Sequence, residues 1–361
     1  MSETLTISIK TLTPIWTGDV NGRCSEIKET GIIGSMRWWY EAIVRGLGGY
    51  ACDPTGDSKC ELSGKEKTDE ERRRKLCPVC YLFGCTGWKR ELSLVVNSGE
   101  NAPFQLVTLD KKDKFNNWWL SQIFEKILGT NLPFGEVTLD IKPTRGLSGD
   151  EAIKQMKALL SLMSHCGAIG AKNQYGFGQF DWDEKMEIKD ALNIIQKFLN
   201  EATFKDGSNK NVLYSLHEFW LYDIKIPKDN KLLKKFLKAN LIGKGTYPID
   251  YLPVSFDIRY KLPDSDNGTG LRQAYYEKHK NKYKTRLIFG TLKDDRIGSR
   301  VFVSHLFKKD KADNDYWLRV WGFTEEDVSK EVGEELNNMF MLEKLTPILG
   351  KEIIKLVQGG Q

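Results

Sequence analysis

The chain is short of the residues and patterns that announce familiar enzymes. It has four histidines, His165, His217, His279 and His305, and no H-E-x-x-H, G-x-S-x-G or paired-carboxylate signature. No run of about 18 apolar residues occurs, which excludes a membrane-crossing helix. The opening MSETLTISIKTLTPIW lacks a basic stretch followed by an apolar block, so it does not read as a secretion signal, and a cytoplasmic location is expected. A nucleotide loop is missing too: GKGT at 243–246 has Lys238 where the first glycine of a P-loop belongs. Nor is there a large excess of one charge. The 54 Lys and Arg against 49 Asp and Glu leave +5, so an anionic partner has to be sought in clusters.

What is present is enough chain, 361 residues, for two domains of about 150–200 residues each. TLTISIKTL (4–12) alternates like a half-buried strand. In SMRWWYEAIVRGLGG, Met36, Trp39, Tyr40, Ile43, Val44 and Leu47 form one helical stripe, Arg37, Glu41 and Arg45 line another face, and Gly48-Gly49 end the helix. A hairpin at 91–98 and 103–109, a helix at 116–129 and a strand at 136–142 follow. Ser148 with Glu151 caps the next helix, whose buried stripe is Ile153, Met156, Leu160 and Met163. FGQFDW closes the set. The order predicts an α+β chain with a ferredoxin-like (RRM-like) βαββαβ domain over 1–204. KDGSNKN (205–211) reads as a linker. A second, distorted RRM-like domain is expected over 212–361, with strands at 215–226, LPVSFDIRY, 287–292, 299–306 and YWLRVWGF.

GAIGAKNQYGFG (167–178) holds four glycines and one lysine in twelve residues, with no acid. Glycine admits positive φ and lets backbone amides close on an anion. Lys172 adds charge, Asn173 and Gln174 add donors, and Tyr175 or Phe177 could stack on a base. The loop follows a helix instead of opening one, so it is not a dinucleotide fingerprint. The plain alternative is a turn needing glycine only for its shape. His165, directly before the loop, is the histidine best placed for general-base work, though a packing role is commoner.

Cys52, Cys60, Cys77 and Cys80 are spaced C-x7-C-x16-C-x2-C within an insert at about 50–88, and Cys-Pro-Val-Cys has zinc-knuckle spacing. Seven cysteines in a cytoplasmic chain point to metal ligands or buried thiols before disulfides. A structural Zn²⁺ on these four thiolates would staple the charged insert; Cys85 is a spare. Residues 271–300 carry nine Lys or Arg, three acids and three tyrosines, Tyr275, Tyr276 and Tyr283. That mixture suits phosphates and flat rings, or simply a solvated lysine-rich helix.

In order, GIIGSMRWWYEAIVRGLGG, CPVCYLFGCTGW and GAIGAKNQYGFGQF resemble the RAMP superfamily of CRISPR-associated proteins, most closely the first subunit of the type III-B (Cmr) RNA-targeting effector. GTLKDDRIGSRVFVSH is similar to a stretch of that family's second domain. The resemblance implies two fused RRM-like domains and a non-catalytic role in antiviral defence. It implies binding of the 3′ part of a guide (crRNA) or of target single-stranded RNA, beside other effector subunits at one end of the complex. Carried over, Gly167, Gly170, Lys172, Asn173, Gln174, Tyr175, Gly176 and Gly178 face RNA. Arg23, Lys28, Arg37, Lys293, Arg296 and Arg300 are expected on phosphates, with the amides of Ile33, Gly34 and Ser35 at a helix start. Trp38 could stack or pack. Two other readings are a metal-independent CRISPR RNA-processing endonuclease using His165, and a protein–protein assembly adaptor.

Overall fold

The computed structural model describes residues 4–19, 24, 26–57, 59–97, 104–108, 131–144, 149–201, 203–209, 214–241, 250–260, 262, 268–291 and 296–358. The expected helix at 116–129, its neighbour Ser148, and Arg23 and Lys293 lie outside them.

The first half runs β1 (Leu5–Thr11), α1 (Glu29–Gly46), α2 (Asp69–Lys75), α3 (Pro78–Phe83), β2 (Leu92–Asn97), β3 (Phe104–Thr108), β4 (Asn131–Pro143), α4 (Gly149–Cys166), β5 (Phe180–Asp181) and α5 (Ile188–Glu201). Its antiparallel sheet has the order β2–β4–β1–β5, with β3 on the early part of β4. Alternation sets the register. Ile7 faces Leu139 and Ile9 faces Val137, and all four are buried. α2 is started by a reciprocal Thr68–Glu71 capping box, and α3 by Pro78 at its first turn.

α1 begins at Glu29, several residues earlier than its sequence stripe suggested. Ile32 and Ile33 extend that stripe toward the N-terminus, and both are buried. Gly31 and Gly34 do not break the helix; Gly31 sits where a side chain would crowd Thr17 at 2.9 Å.

The second half runs β6 (Phe219–Ile226), α6 (Lys231–Leu241), β7 (Tyr251–Leu252), α7 (Ser255–Arg259), α8 (Leu271–His279), α9 (Lys282–Phe289), β8 (Val301–Val303), β9 (Leu306–Phe307), β10 (Tyr316–Phe323), α10 (Glu326–Phe340), β11 (Ile348–Leu349) and α11 (Gly350–Gln358). Its sheet has the order β11–β6–β10–β9–β7, and β8 also pairs with β10. Two expected strands are helical instead. SFDIR winds into α7, whose five residues are all buried. There the Arg259 guanidinium donates to the carbonyls of Val301 (2.6 Å) and Phe289 and to Ser299 Oγ (2.7 Å). Of the stretch at 287–292, residues 287–289 are the end of α9, stopped by Gly290 at φ +75°, and 292 lies outside the described residues.

The sheets are separate, but the packing is continuous. Phe219, Leu221, Phe302, Trp321, Phe323, Ile353 and Ile354 from the second half join the apolar cluster of Trp39, Ile43 and Leu162 from the first. The expected linker is pinned as well: Lys205 N–H bonds the Leu76 carbonyl, and Asn209 Nδ2 the Gly49 carbonyl at 2.7 Å. No described helix is long and apolar enough to cross a membrane.

Candidate functional site

Cys52 and Cys60 lie on either side of a turn at 54–57, and Cys77 and Cys80 flank the start of α3. All four sulfurs are buried and lie within 4.8 Å of one another. Cys52 Sγ is 3.4 Å from Cys80 Sγ and 3.8 Å from Cys77 Sγ. A tetrahedron with metal–sulfur bonds of about 2.3 Å has edges of about 3.8 Å, so the set is already near that size. Backbone amides point at the sulfurs, Cys77 N–H at Cys60 Sγ (3.2 Å) and Cys80 N–H at Cys77 Sγ (3.4 Å). Hydrogen bonds from Cys60, Cys77 and Cys80 hold Cys52 below the usual thiol pKa, while those three are pushed up. Cys85 is less buried than the four and lies beside Cys80, whose hydrogen bond lowers its pKa.

Arg37 belongs to this cluster. Its guanidinium donates to Glu41 Oε1 (3.1 Å), to the Gly84 carbonyl (2.7 Å) and to Cys80 Sγ (3.2 Å). Burial disfavours its charge, but Cys80 and Glu41 outweigh that and raise its pKa. The expected phosphate site at the start of the helix is therefore corrected. Arg37 sits eight residues inside α1, and Ile33, Gly34 and Ser35 are helix interior, not a free N-terminus. Lys28 is the N-cap residue and lies at the surface, 3.4 Å from Glu26. Trp38 packs edge-on against Trp39, Tyr214, Phe302 and Phe323, in the seam between the halves.

The glycine loop descends from α4 into the same seam. Gly167 lies against the indole of Trp39, where any side chain would overlap the ring, and Trp39 Nε1 donates to the Ala168 carbonyl at 3.1 Å. The expected cradle of free amides is not what forms. Ile169 N–H bonds Gly178 O, Gly170 N–H bonds Ser35 Oγ, Ala171 N–H bonds Trp16 O, and Gly178 N–H bonds Pro14 O. A loop this buried must satisfy its donors internally, and the nearby TPIW segment supplies the acceptors. Asn173 works the same way: its Nδ2 donates to the Ile169 and Phe177 carbonyls.

What the loop leaves at its half-buried turn is side chains. Lys172 adopts a left-handed conformation, φ +57°, with its ammonium 3.9 Å from the centre of the Trp16 ring. Burial pushes that ammonium down to about 8, with Cys24 working weakly against the shift. Gln174 and Tyr175 complete the 3₁₀ turn Asn173–Tyr175, which rests on β8 just after Arg300. Tyr175 stacks on Phe256 (4.8 Å), and Phe256 on Tyr260 (5.5 Å). Gly176 abuts His305, whose amide donates to the Gly176 carbonyl. Arg296 is exposed; Arg300 Nε bonds the Phe323 carbonyl at 2.7 Å.

His165 is held by the Met186 carbonyl at 2.9 Å, and burial lowers its pKa. Residues not foreseen from the sequence also meet here. Arg319, from β10, donates to the Ser164 carbonyl at the end of α4 and to Gln179 Oε1. His305 is buried and neutral, its pKa pushed down to about 3. Neither carries a local sequence signal, since each acts across a contact between distant segments.

A buried four-cysteine insert on α1 and a glycine-rich descent from α4, set on a βαββαβ-ordered antiparallel sheet, define a class of α+β protein. The family model described as RAMP superfamily matches residues 8–181. Over that stretch the chain is similar to the superfamily. The crystal structure of Cmr1 from Pyrococcus furiosus (apo form) is similar over 99% of this chain and 96% of its own, with 13% identity and a TM-score of 0.43. The cryo-EM structure of the Type III-B Cmr-beta bound to cognate target RNA is similar over 94% of this chain and 100% of its own matched chain, with 14% identity and a TM-score of 0.39. No curated protein sequence matches the chain.

Proposed function

We propose that this chain is a non-catalytic, cytoplasmic RNA-binding subunit of a type III-B CRISPR effector. It holds the 3′ part of the guide RNA, target RNA or both at one end of the complex, in contact with other subunits. Both halves are read as ferredoxin-like units, 1–204 and 212–361, the second with extra strands between its third and second positions. The observation that carries the RNA contact is Lys172, held above Trp16 by a loop whose four glycine amides are engaged within the protein. The contact is thus made by the side chains of Lys172, Gln174 and Tyr175 along the turn, with Lys28, Arg296 and Arg300 as outlying phosphate contacts. Zinc is assigned to Cys52, Cys60, Cys77 and Cys80. Four thiolates with Zn²⁺ carry a net charge of −2, which Arg37 partly offsets; the role is structural, since no coordination position stays open.

The test is single-stranded RNA binding by the full chain and by K172A/Q174A. Asn173 is spared because it braces the loop. Affinity should fall at least about tenfold at low salt, with no change in melting temperature. Because the ammonium titrates near 8, wild-type affinity should also weaken as pH rises from 7 to 9, and K172A should lose that dependence. R296A should lower the salt slope by about 0.7, one phosphate's share on a single strand. Unaltered affinity in K172A/Q174A at matched salt rejects the loop contact. RNA cleavage that disappears in H165A with binding intact would favour the endonuclease instead.

A further inference from the structure

We propose that the α8–α9 hairpin is a second RNA contact, separate from the glycine loop, which takes an unpaired strand along the side of α8 turned away from α10. The nature of the partner rests on the RNA-binding reading above, but none of the residues are shared with it. The two sides of α8 are treated differently. Toward α10, charge is neutralised within the protein: Lys278 lies 3.4 Å from Glu331 and 3.9 Å from Glu334, and His279 Nε2 lies 2.7 Å from Glu331. On another side, Arg272 and Tyr276 lie four residues apart, and Lys280, which ends α8, brings its ammonium near Tyr276 to continue the stripe. Lys282 and Tyr283 continue beyond it on α9. Arg272, Lys280 and Lys282 have no carboxylate partner among the described residues. Glu277, the one acid of α8 and α9, is exposed and hydrogen-bonded to Gln273 at 2.9 Å.

The cations on this stripe are interleaved with rings. The Arg272 guanidinium lies 5.8 Å from the Tyr260 ring centre and donates to the Gly290 carbonyl at 2.5 Å. The Lys280 ammonium lies 6.0 Å from the Tyr276 ring centre. Tyr283 is 69% exposed, an unusual expanse for a tyrosine. The turn presenting these groups is fixed. Lys280 caps α8 in a left-handed conformation, φ +50°, and Asn281 caps α9 by accepting from Lys284 N–H at 2.9 Å. Thr285 Oγ1 closes on the Asn281 carbonyl at 2.8 Å.

The arrangement works against the stability of the helix pair. Lys282 and Lys284 occupy the first turn of α9, where aligned peptide dipoles favour acids, and no acid is there. Local rules broken together at the surface are expected where a ligand restores the balance. A phosphate chain supplies the missing charge, and its bases supply faces for Tyr276 and Tyr283. An acidic side-chain run would satisfy the lysines but supplies no flat faces for Tyr276 and Tyr283.

The experiment uses the full chain, a labelled oligouridylate and a salt series, with K280E/K282E and Y283A beside K172A/Q174A. All substituted hairpin residues are at or near the surface, and thermal melts check that each variant folds. K280E/K282E should weaken binding at least about tenfold and reduce the salt slope by about 1.4, two contacts at about 0.7 each. Y283A should weaken it roughly fivefold, with the slope unchanged. If K172A/Q174A loses binding while both hairpin variants keep wild-type affinity and slope, the hairpin contact is overturned and the loop reading stands. If K280E/K282E and Y283A lose affinity while K172A/Q174A does not, the hairpin stands and the loop reading fails. If the wild-type chain binds no RNA, both fall. Poly-glutamate binding as tightly as oligouridylate, with Y283A neutral, would assign the hairpin to an acidic protein and overturn the proposal.

Discussion

The cysteine insert and the glycine loop both bring a cation into partial burial, with opposite results. At the insert, Arg37 meets Cys80 and Glu41, and its charge is reinforced. At the loop, Lys172 meets the face of Trp16, and its charge is weakened toward neutrality at about pH 8. A guanidinium already saturated by sulfur, carbonyl and carboxylate is a structural part. An ammonium held over a ring and destabilised by burial gains most from an arriving anion. The type of basic residue is less informative than what surrounds it.

The sharpest way to break this comparison is to remove the anionic side. Cys80→Ser should take bound zinc from about one per chain to none and unfold the insert, since the metal supplies much of such a segment's folding energy, roughly 10–16 kcal/mol in small zinc domains. Metal analysis and a thermal melt check it; unchanged zinc content with an unchanged melt would show that the thiols are simply packed.

The next effect tests the loop's rigidity. Gly178 has φ +84°, and a side chain there would run into the Ile169 carbonyl. Gly178→Ala should destabilise by on the order of 2–4 kcal/mol in a denaturant titration. Gly34→Ala, with open space around its site in α1, should instead stabilise by about 0.5–1 kcal/mol. Equal effects at the two positions would mean that the loop's shape is not what glycine supplies.

The last test reads acid sensitivity at the seam. His305 is neutral in the folded chain down to about pH 3 but takes a proton near pH 6.5 when unfolded. Its contribution to stability is therefore fully present above 6.5 and is lost as pH falls, by up to about 1.4 kcal/mol per pH unit. His305→Gln should flatten the slope of stability against pH between 6.5 and 4.

Period and spacing revealed the parts that act locally. The alternation of β1 and the stripe of α1 lead to the residues the folded chain buries there, and the C-x7-C-x16-C-x2-C pattern to four cysteines that it brings together. Reading failed where the decisive partner is far away in sequence. Phe256 and Ile258 alternate as in a strand, yet the segment is helical because Arg259 must reach the carbonyls of Phe289 and Val301. The glycine loop looked like an anion cradle because its amides could be counted but their acceptors, at Pro14, Trp16 and Ser35, could not be foreseen. Arg37 looked basic and exposed until Cys80, forty-three residues on, closed over it.

The seating of Asn173–Tyr175 on β8, with Tyr175 against Phe256, bears on binding thermodynamics. A free glycine-rich segment would surrender many conformations on meeting a nucleotide, and that ordering would oppose association. Here folding has already removed those conformations, so little entropy remains to be lost. Calorimetry of a variant that loosens the turn, such as Tyr175→Gly, should therefore show the weaker binding mainly in the entropic component, with the enthalpy of the Lys172 contact retained.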